Sequence, residues 1–169
     1  LRTGLVRIGV APAVRPETGA GPASLACAGY LALEGVAVTL FEKRPLPGGL
    51  NATGVAPYKM HAEGALMEVE FIRSLGVTIK TGAEVGHDPK AADLLRDYDA
   101  VFLGIGLGAD ARLGIGGEDG PGVVGATVWI EQMKLASGAA PPAAKHALVI
   151  GGGNTAIDAA RQPGMLQAP

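Results

Sequence analysis

The chain has 169 residues, a net charge of −2, 48% hydrophobic residues and a single cysteine, Cys27. Near-neutrality gives no electrostatic reason to invoke nucleic acid or an anionic membrane, and one cysteine excludes an internal disulfide, a Cys-x-x-Cys redox pair and a cysteine-held iron–sulfur cluster within this chain. Glycine, at 27 residues, is at more than double its usual share of about 7% and gathers in turns after apolar runs rather than in a repeat.

In chain order, Leu5–Val14 is apolar enough for a first strand, but Arg15-Pro16-Glu17-Thr18 interrupts it before a glycine turn. Proline cannot donate to a central ladder, so this strand is short, offset or damaged. Ala23–Glu34 reads as a helix with Leu25, Ala28, Leu31 and Ala32 on one stripe, ended by Gly35. Val36–Phe41 reads as a strand with Glu42 at its carboxyl end, followed by a loop over Lys43–Gly49. Ala62–Leu75 is a second amphipathic helix carrying Leu66, Val69, Ile72 and Leu75 and capped at Gly76. Val77–Lys80 and Glu84–Gly86 read as short strands, Asp88–Tyr98 as a helix and Ala100–Ile105 as a buried strand. A Gly/Pro-rich stretch leads to a helix around Ala126–Ala136. Ser137–Ala144 (SGAAPPAA) is the best linker, and Ala147–Ile150 reads as one more strand.

Strands alternating with helices predict an α/β fold in which the strands ending near Thr18, Phe41 and Ile105 share one mostly parallel sheet. The expected division is a dinucleotide-binding domain over 1–136, a linker over 137–144 and the opening of a second such domain over 145–169.

Two glycine turns carry the chemistry. The first is Gly19-Ala20-Gly21-Pro22-Ala23-Ser24, with Glu42 about twenty residues on. The second is Gly151-Gly152-Gly153-Asn154-Thr155-Ala156, directly after Ala147–Ile150. Glycines permit a tight turn and let the backbone approach a pyrophosphate, and the following helix offers unpaired N–H groups and a positive dipole end. Glu42 stands where a carboxylate would accept hydrogen bonds from ribose hydroxyls, or is a solvated strand end. Ser24, in place of the third Gly or Ala, would slightly loosen helix–strand packing. Lys43 and Arg44 would meet phosphate or adenine, or line a solvated loop. Two such turns in tandem suggest two dinucleotides passing electrons between them. The second site lacks the strand whose end would choose between NAD and NADP.

Gly104-x-Gly106-x-x-Ala109 satisfies the same pattern, but Gly114, Gly116 and Gly117 break any following helix, so it reads as a loop crossing over a bound cofactor. Cys27 reads as a small buried side chain. His61, His87 and His146 share no metal-ligand spacing, and no metal is expected. Leu1–Val10 does not read as a signal peptide and no apolar run approaches about eighteen residues, so a cytoplasmic location is expected. The opening Leu1 and the stop soon after the second turn predict a fragment.

From Gly19 to Lys59 the stretch GAGPASLACAGYLALEGVAVTLFEKRPLPGGLNATGVAPYK resembles one flavoprotein group. It comprises the FAD/NAD(P)-binding part of dihydropyrimidine dehydrogenases and the small subunit of glutamate synthase. GAGPAS, FEK…GGL and the Tyr58-Lys59 pair look most like the former branch, and the likeness continues through Tyr98–Leu107 and Val149–Arg161. It implies a Rossmann-like two-dinucleotide-binding flavoprotein fold, incomplete at the C-terminus. It implies FAD held by Gly19, Ala20, Gly21, Pro22 and Ala23 at the pyrophosphate and by Glu42 at the ribose. Lys43, Gly49, Leu50 and Lys59 would line the rest of that site, with Val85 beside them. Gly152, Gly153, Asn154 and Thr155 match the turn that receives NAD(P)H. In that group electrons run from NAD(P)H to FAD and on to iron–sulfur clusters or a partner active site. The chain then reads as the FAD-dependent electron-input module of an oxidoreductase, or as a non-catalytic remnant or assembly module.

Overall fold

Short runs of β-branched and apolar residues, each followed by a helix with one apolar stripe, bury both faces only when the strands lie parallel under the helices. The computed structural model, which describes residues 7–10, 19–108, 110–135 and 146–165, has this arrangement. Its elements are β1 (Arg7–Val10), α1 (Pro22–Leu33), β2 (Ala37–Glu42), α2 (Gly49–Thr53), α3 (Ala62–Ser74), β3 (Thr78–Thr81), α4 (Ala91–Asp97), β4 (Ala100–Phe102), α5 (Ala126–Leu135) and α6 (Asn154–Met165). The four strands form one sheet in the order β3-β2-β1-β4, all parallel. The expected side-by-side strands are present: the second ends at Glu42, beside the expected Phe41, the third ends at Phe102, short of Ile105, and the end expected near Thr18 lies outside the described residues.

The chain forms two compact units, one of Leu1–Ala52 with Glu63–Gly108 and one of Thr53–Ala62 with Ala109–Pro169. The linker expected at 137–144 lies outside the described residues, as do the Arg15–Thr18 interruption and Ala109.

In the first unit β2 is the central element. Val38 and Leu40 point to one face, where they pack with Leu25 and Ala28 of α1, Val69 of α3, and Ala20 and Val77. Phe41 points to the other face, as strand alternation requires, and packs with Val85 and Leu94. The Tyr98 ring meets Phe41 edge-on with centroids 6.0 Å apart.

In the second unit Asp110 caps α5, accepting the Thr127 N–H at 3.0 Å and the Thr127 hydroxyl at 2.9 Å. Ile130 of α5 is fully buried, and the Lys134 ammonium donates to the Val55 carbonyl at 2.9 Å.

Four expectations change. Ala100–Ile105, expected as a buried strand, is β4 over Ala100–Phe102 with both of its end residues exposed. Ala147–Ile150 is in no ladder, and Leu148 and Ile150 are 87% and 63% exposed. A strand exists only by pairing, and among the described residues nothing pairs with this run. Glu84–Gly86 is part of a turn, because Glu84 accepts the N–H groups of both His87 and Asp88 and bridges Asp88 alone. The short α2, at the end of the expected Lys43–Gly49 loop, is new.

Candidate functional site

The first glycine turn leads directly into α1. Gly21 is the N-cap, no side chain caps the helix, Pro22 occupies its first turn without an N–H, and no acidic residue stands there. That end therefore presents donors and positive potential to an anion. Pro22 and Ala23 are exposed beside it.

Three contacts from distant parts of the chain hold this turn in shape. Glu42, at the end of β2, is fully buried. One of its carboxylate oxygens accepts the Ala20 N–H at 2.7 Å and the other the Arg44 N–H at 2.8 Å. It is not a solvated strand end. Burial pushes its carboxyl above the ordinary value, against the pull of the Ala20 and Arg44 N–H groups and the Arg44 charge.

Gly48 donates its N–H to the Ala20 carbonyl at 2.8 Å. Gly49, at φ +56°, lies so close to the turn that a Cβ there would stand 2.7 Å from the Gly21 Cα. Backbone meets backbone here, so only glycine fits.

Ser24 supplies the third contact. It is fully buried, and its hydroxyl donates to the Gly104 carbonyl at 3.3 Å. A Cβ on Gly104 would sit 2.0 Å from the Ser24 Oγ. Ser24 thus ties α1 to the Gly104 loop, which lies over the first turn of the helix without forming a helix itself.

Lys43 pairs with Glu84 at 3.0 Å, and Leu50 is exposed on α2. Val85 spends its side chain on the core with Phe41 and Leu94. Cys27, expected to be buried, is half-buried, and burial raises its thiol pKa.

Of the expected flavin-site residues, Gly19–Ala23, Glu42, Lys43, Gly49, Leu50 and Val85 belong to the first unit, and Lys59 to the second. There the second turn leaves Gly152, Gly153, Asn154 and Thr155 exposed, and the Gly153 carbonyl accepts the Ile157 N–H at 3.0 Å to open α6. No acidic residue stands in the first turn of that helix.

Lys59 pairs with Asp158 of α6 at 2.6 Å, and the Tyr58 hydroxyl donates to the same carboxylate. The Asp158 side chain is 7% exposed. Burial opposes its ionisation, but the hydrogen bonds from Lys59 and Tyr58 prevail and hold its carboxyl below the ordinary value. The Arg161 guanidinium lies 4.4 Å from the Tyr58 ring centroid. Asp158 and Arg161 carried no expected role, and the separation of 100 positions between Tyr58 and Asp158 left no local signal.

Among the described residues no cluster of three or more His, Cys, Asp or Glu could hold a metal ion, and no helix is long and apolar enough to cross a membrane.

A parallel sheet with a braced glycine turn before α1, and a second glycine turn before α6, defines a dinucleotide-binding α/β protein. Residues 18–166 match the pyridine nucleotide-disulphide oxidoreductase family, and the chain belongs to it. With one cysteine, the chain itself carries no dithiol.

The chain is 41% identical over 145 residues to the NADP(+)-dependent formate dehydrogenase subunit beta of Moorella thermoacetica, covering 85% of this chain and 20% of that protein. It is 38% identical over 152 residues to the glutamate synthase [NADPH] small chain of Escherichia coli K12, covering 85% and 32%. To the NAD-dependent dihydropyrimidine dehydrogenase subunit PreT of Salmonella typhimurium it is 33% identical over 153 residues, covering 89% and 36%. Both branches of the resemblance are thus among the relatives, and the chain spans only 20% to 36% of their lengths. Among solved structures, FprA of Mycobacterium tuberculosis shares the fold, with a TM-score of 0.59 at 24% identity over 75% of this chain and 28% of that one.

Proposed function

We propose that the chain is the electron-input part of an FAD-dependent NAD(P)H oxidoreductase. The observation that carries this reading is the braced first turn. Glu42, Gly48 and Gly49 fix its backbone, and α1 opens onto it with no side chain in the place of a phosphate.

These residues fit the diphosphate of FAD. The N–H groups after Gly21 would bind it, and the close approach of Gly49 would leave room for it. Glu42 would orient the turn, with its remaining lone pairs toward the ribose. Lys43 and Leu50 would flank the site, and Lys59 and Val85 stay with it as candidates. Bound flavin would supply the chemistry, accepting a hydride from NAD(P)H and passing its electrons on. Gly152, Gly153, Asn154 and Thr155 would receive the nicotinamide nucleotide in the same manner.

The receiving partner is proposed to be an iron–sulfur or catalytic subunit or domain, and the setting cytoplasmic. The names of two relatives as subunits, and of a third as a small chain, support such a partner. The division into a flavin domain over 1–136 and a nicotinamide domain from 145 onward belongs to the same reading. A second reading, a non-catalytic remnant or assembly module, is favoured by the Ala147–Ile150 run, which has no ladder partner among the described residues.

A thermal-shift titration of the flavin-free protein separates the two, because a ligand that binds only the folded state raises its unfolding temperature. FAD should raise it. No rise with FAD supports the remnant, and a rise with NADPH but none with FAD sinks the flavin assignment.

A further inference from the structure

The second unit contains a buried charge that the proposed function does not use. Asp158 is the fifth residue of α6, one turn below Asn154, and its side chain is almost wholly removed from water. A buried carboxylate is tolerated only when paired and hydrogen-bonded. Its partners come from one short excursion of the chain, Thr53–Ala62. Lys59 supplies the charge at 2.6 Å and Tyr58 a hydroxyl donor, while Arg161, nearly one turn further along α6, closes over the Tyr58 ring at 4.4 Å. The excursion is anchored within the unit near its start and carries its own turn. The Val55 carbonyl accepts from Lys134, and the Ala56 carbonyl accepts the N–H groups of Lys59 and Met60 in a turn that aims the pair.

We propose that Asp158 is a positioning residue for the nicotinamide-nucleotide turn, clamping the first turns of α6 onto Tyr58 and Lys59 so that the N–H groups after Gly153 keep one orientation. This rests on the reading of Gly152–Thr155 as that turn. Backbone donors recognise a phosphate only if their direction is fixed before it arrives, since ordering a loose helix end subtracts from affinity. Among the described residues Ala147–Ile150 leads into the turn without a ladder partner, so the hold on α6 comes from the packing of α5 and from Tyr58 and Lys59. Asp158 acts through the helix and touches no ligand.

The test uses the full-length protein. Affinity for NADP+ and NAD+ is measured by calorimetry for the unmodified protein, Asp158→Asn, Tyr58→Phe, Lys59→Met and the Asp158→Asn/Lys59→Met pair. Flavin content and unfolding temperature are recorded for each. Asp158→Asn should weaken the preferred nucleotide by about tenfold, the equivalent of one charge-assisted bond, with flavin content unchanged. Tyr58→Phe keeps the ring and the ion pair, so it should fold and still bind more weakly than the unmodified protein. The double variant should bind no more weakly than Asp158→Asn alone, because both changes break one device.

Trypsin gives an independent readout. Nucleotide should protect the bond after Lys59 in the unmodified protein and fail to protect it in Tyr58→Phe. Unmodified affinity in both Asp158→Asn and Tyr58→Phe, or losses that multiply in the double variant, would overturn the positioning role. An unmodified protein that binds neither nucleotide refutes the reading of the turn itself, and this role with it.

Discussion

Replacing Glu42 by alanine tests whether the carboxylate shapes the turn before any ligand arrives. The Ala20 N–H it accepts belongs to a fully buried residue, so that donor would be left with no partner and little water. An orphaned buried donor costs about 1–3 kcal/mol. The Arg44 N–H belongs to a half-buried residue and would recover some solvent, so it adds the smaller net value of a lost hydrogen bond, about 0.5–1.5 kcal/mol. Removing a carboxylate whose ionisation burial opposes returns part of this. The net loss is about 1–4 kcal/mol, which lowers the unfolding temperature by roughly 2–15 °C.

Circular dichroism of the flavin-stripped protein reads it directly. Glu42→Gln, which keeps one acceptor but sets an amide NH2 against an N–H, should fall between alanine and the unmodified chain. The pH dependence follows from the raised carboxyl. A folded-state pKa above the unfolded one contributes stability that is complete below the ordinary carboxylate range and is lost as pH rises through the folded value. The advantage of Glu42 over Gln should therefore shrink as the solution becomes less acid. Flavin-free Glu42→Ala that melts with the unmodified protein would show that the carboxylate does not brace the turn, whatever it does for ribose.

Three further outcomes are expected. Gly49→Ala puts a Cβ into the Gly21 backbone at a left-handed φ, so it should cost about 1–3 kcal/mol in strain and abolish flavin retention on gel filtration. Ser24→Ala should lower the urea midpoint by the equivalent of about 0.5–1.5 kcal/mol with an unchanged m-value, and Gly104→Ala by more, because its Cβ overlaps the Ser24 hydroxyl. Asp158 has a lowered carboxyl, so its contribution is present above the ordinary carboxylate range and is lost as pH falls through the folded value. The melting-temperature gap between the unmodified protein and Asp158→Asn should accordingly close in acid, and a gap that widens there would contradict the pairing.

What could be read from the sequence was local. The glycine turn, α1, β2 and Glu42 lie within one strand–turn–helix–strand run, where spacing and hydrophobic period carry the information. The bracing of that turn is not local. Gly49 against Gly21 and Ser24 against Gly104 are contacts between loops, and no periodicity announces them. Ala147–Ile150 and Glu84–Gly86 have the composition of strands, but strand formation is decided by a neighbour, and neither run has a ladder partner among the described residues. Val85 shows the complementary limit: a short apolar run gave no sign of its commitment to the core with Phe41 and Leu94.

The two glycine turns differ in what holds them, and that difference orders their expected behaviour. The first is fixed at Ala20 from two directions, by the Glu42 carboxylate on its N–H and the Gly48 N–H on its carbonyl, and the helix behind it is tied by Ser24 to Gly104. On the proposed reading a phosphate arriving there would meet donors already aligned, so little ordering would be subtracted from its binding. The second has exposed glycines, a run in front with no ladder partner among the described residues and, behind it, α6 held through Asp158. On the proposed reading its affinity would depend on that clamp together with the packing of α5 on α6, since among the described residues no ladder holds the run in front. Weakening that clamp should therefore act on the nicotinamide nucleotide and leave the flavin turn as it was, whereas loss of Glu42 should act on the flavin turn first.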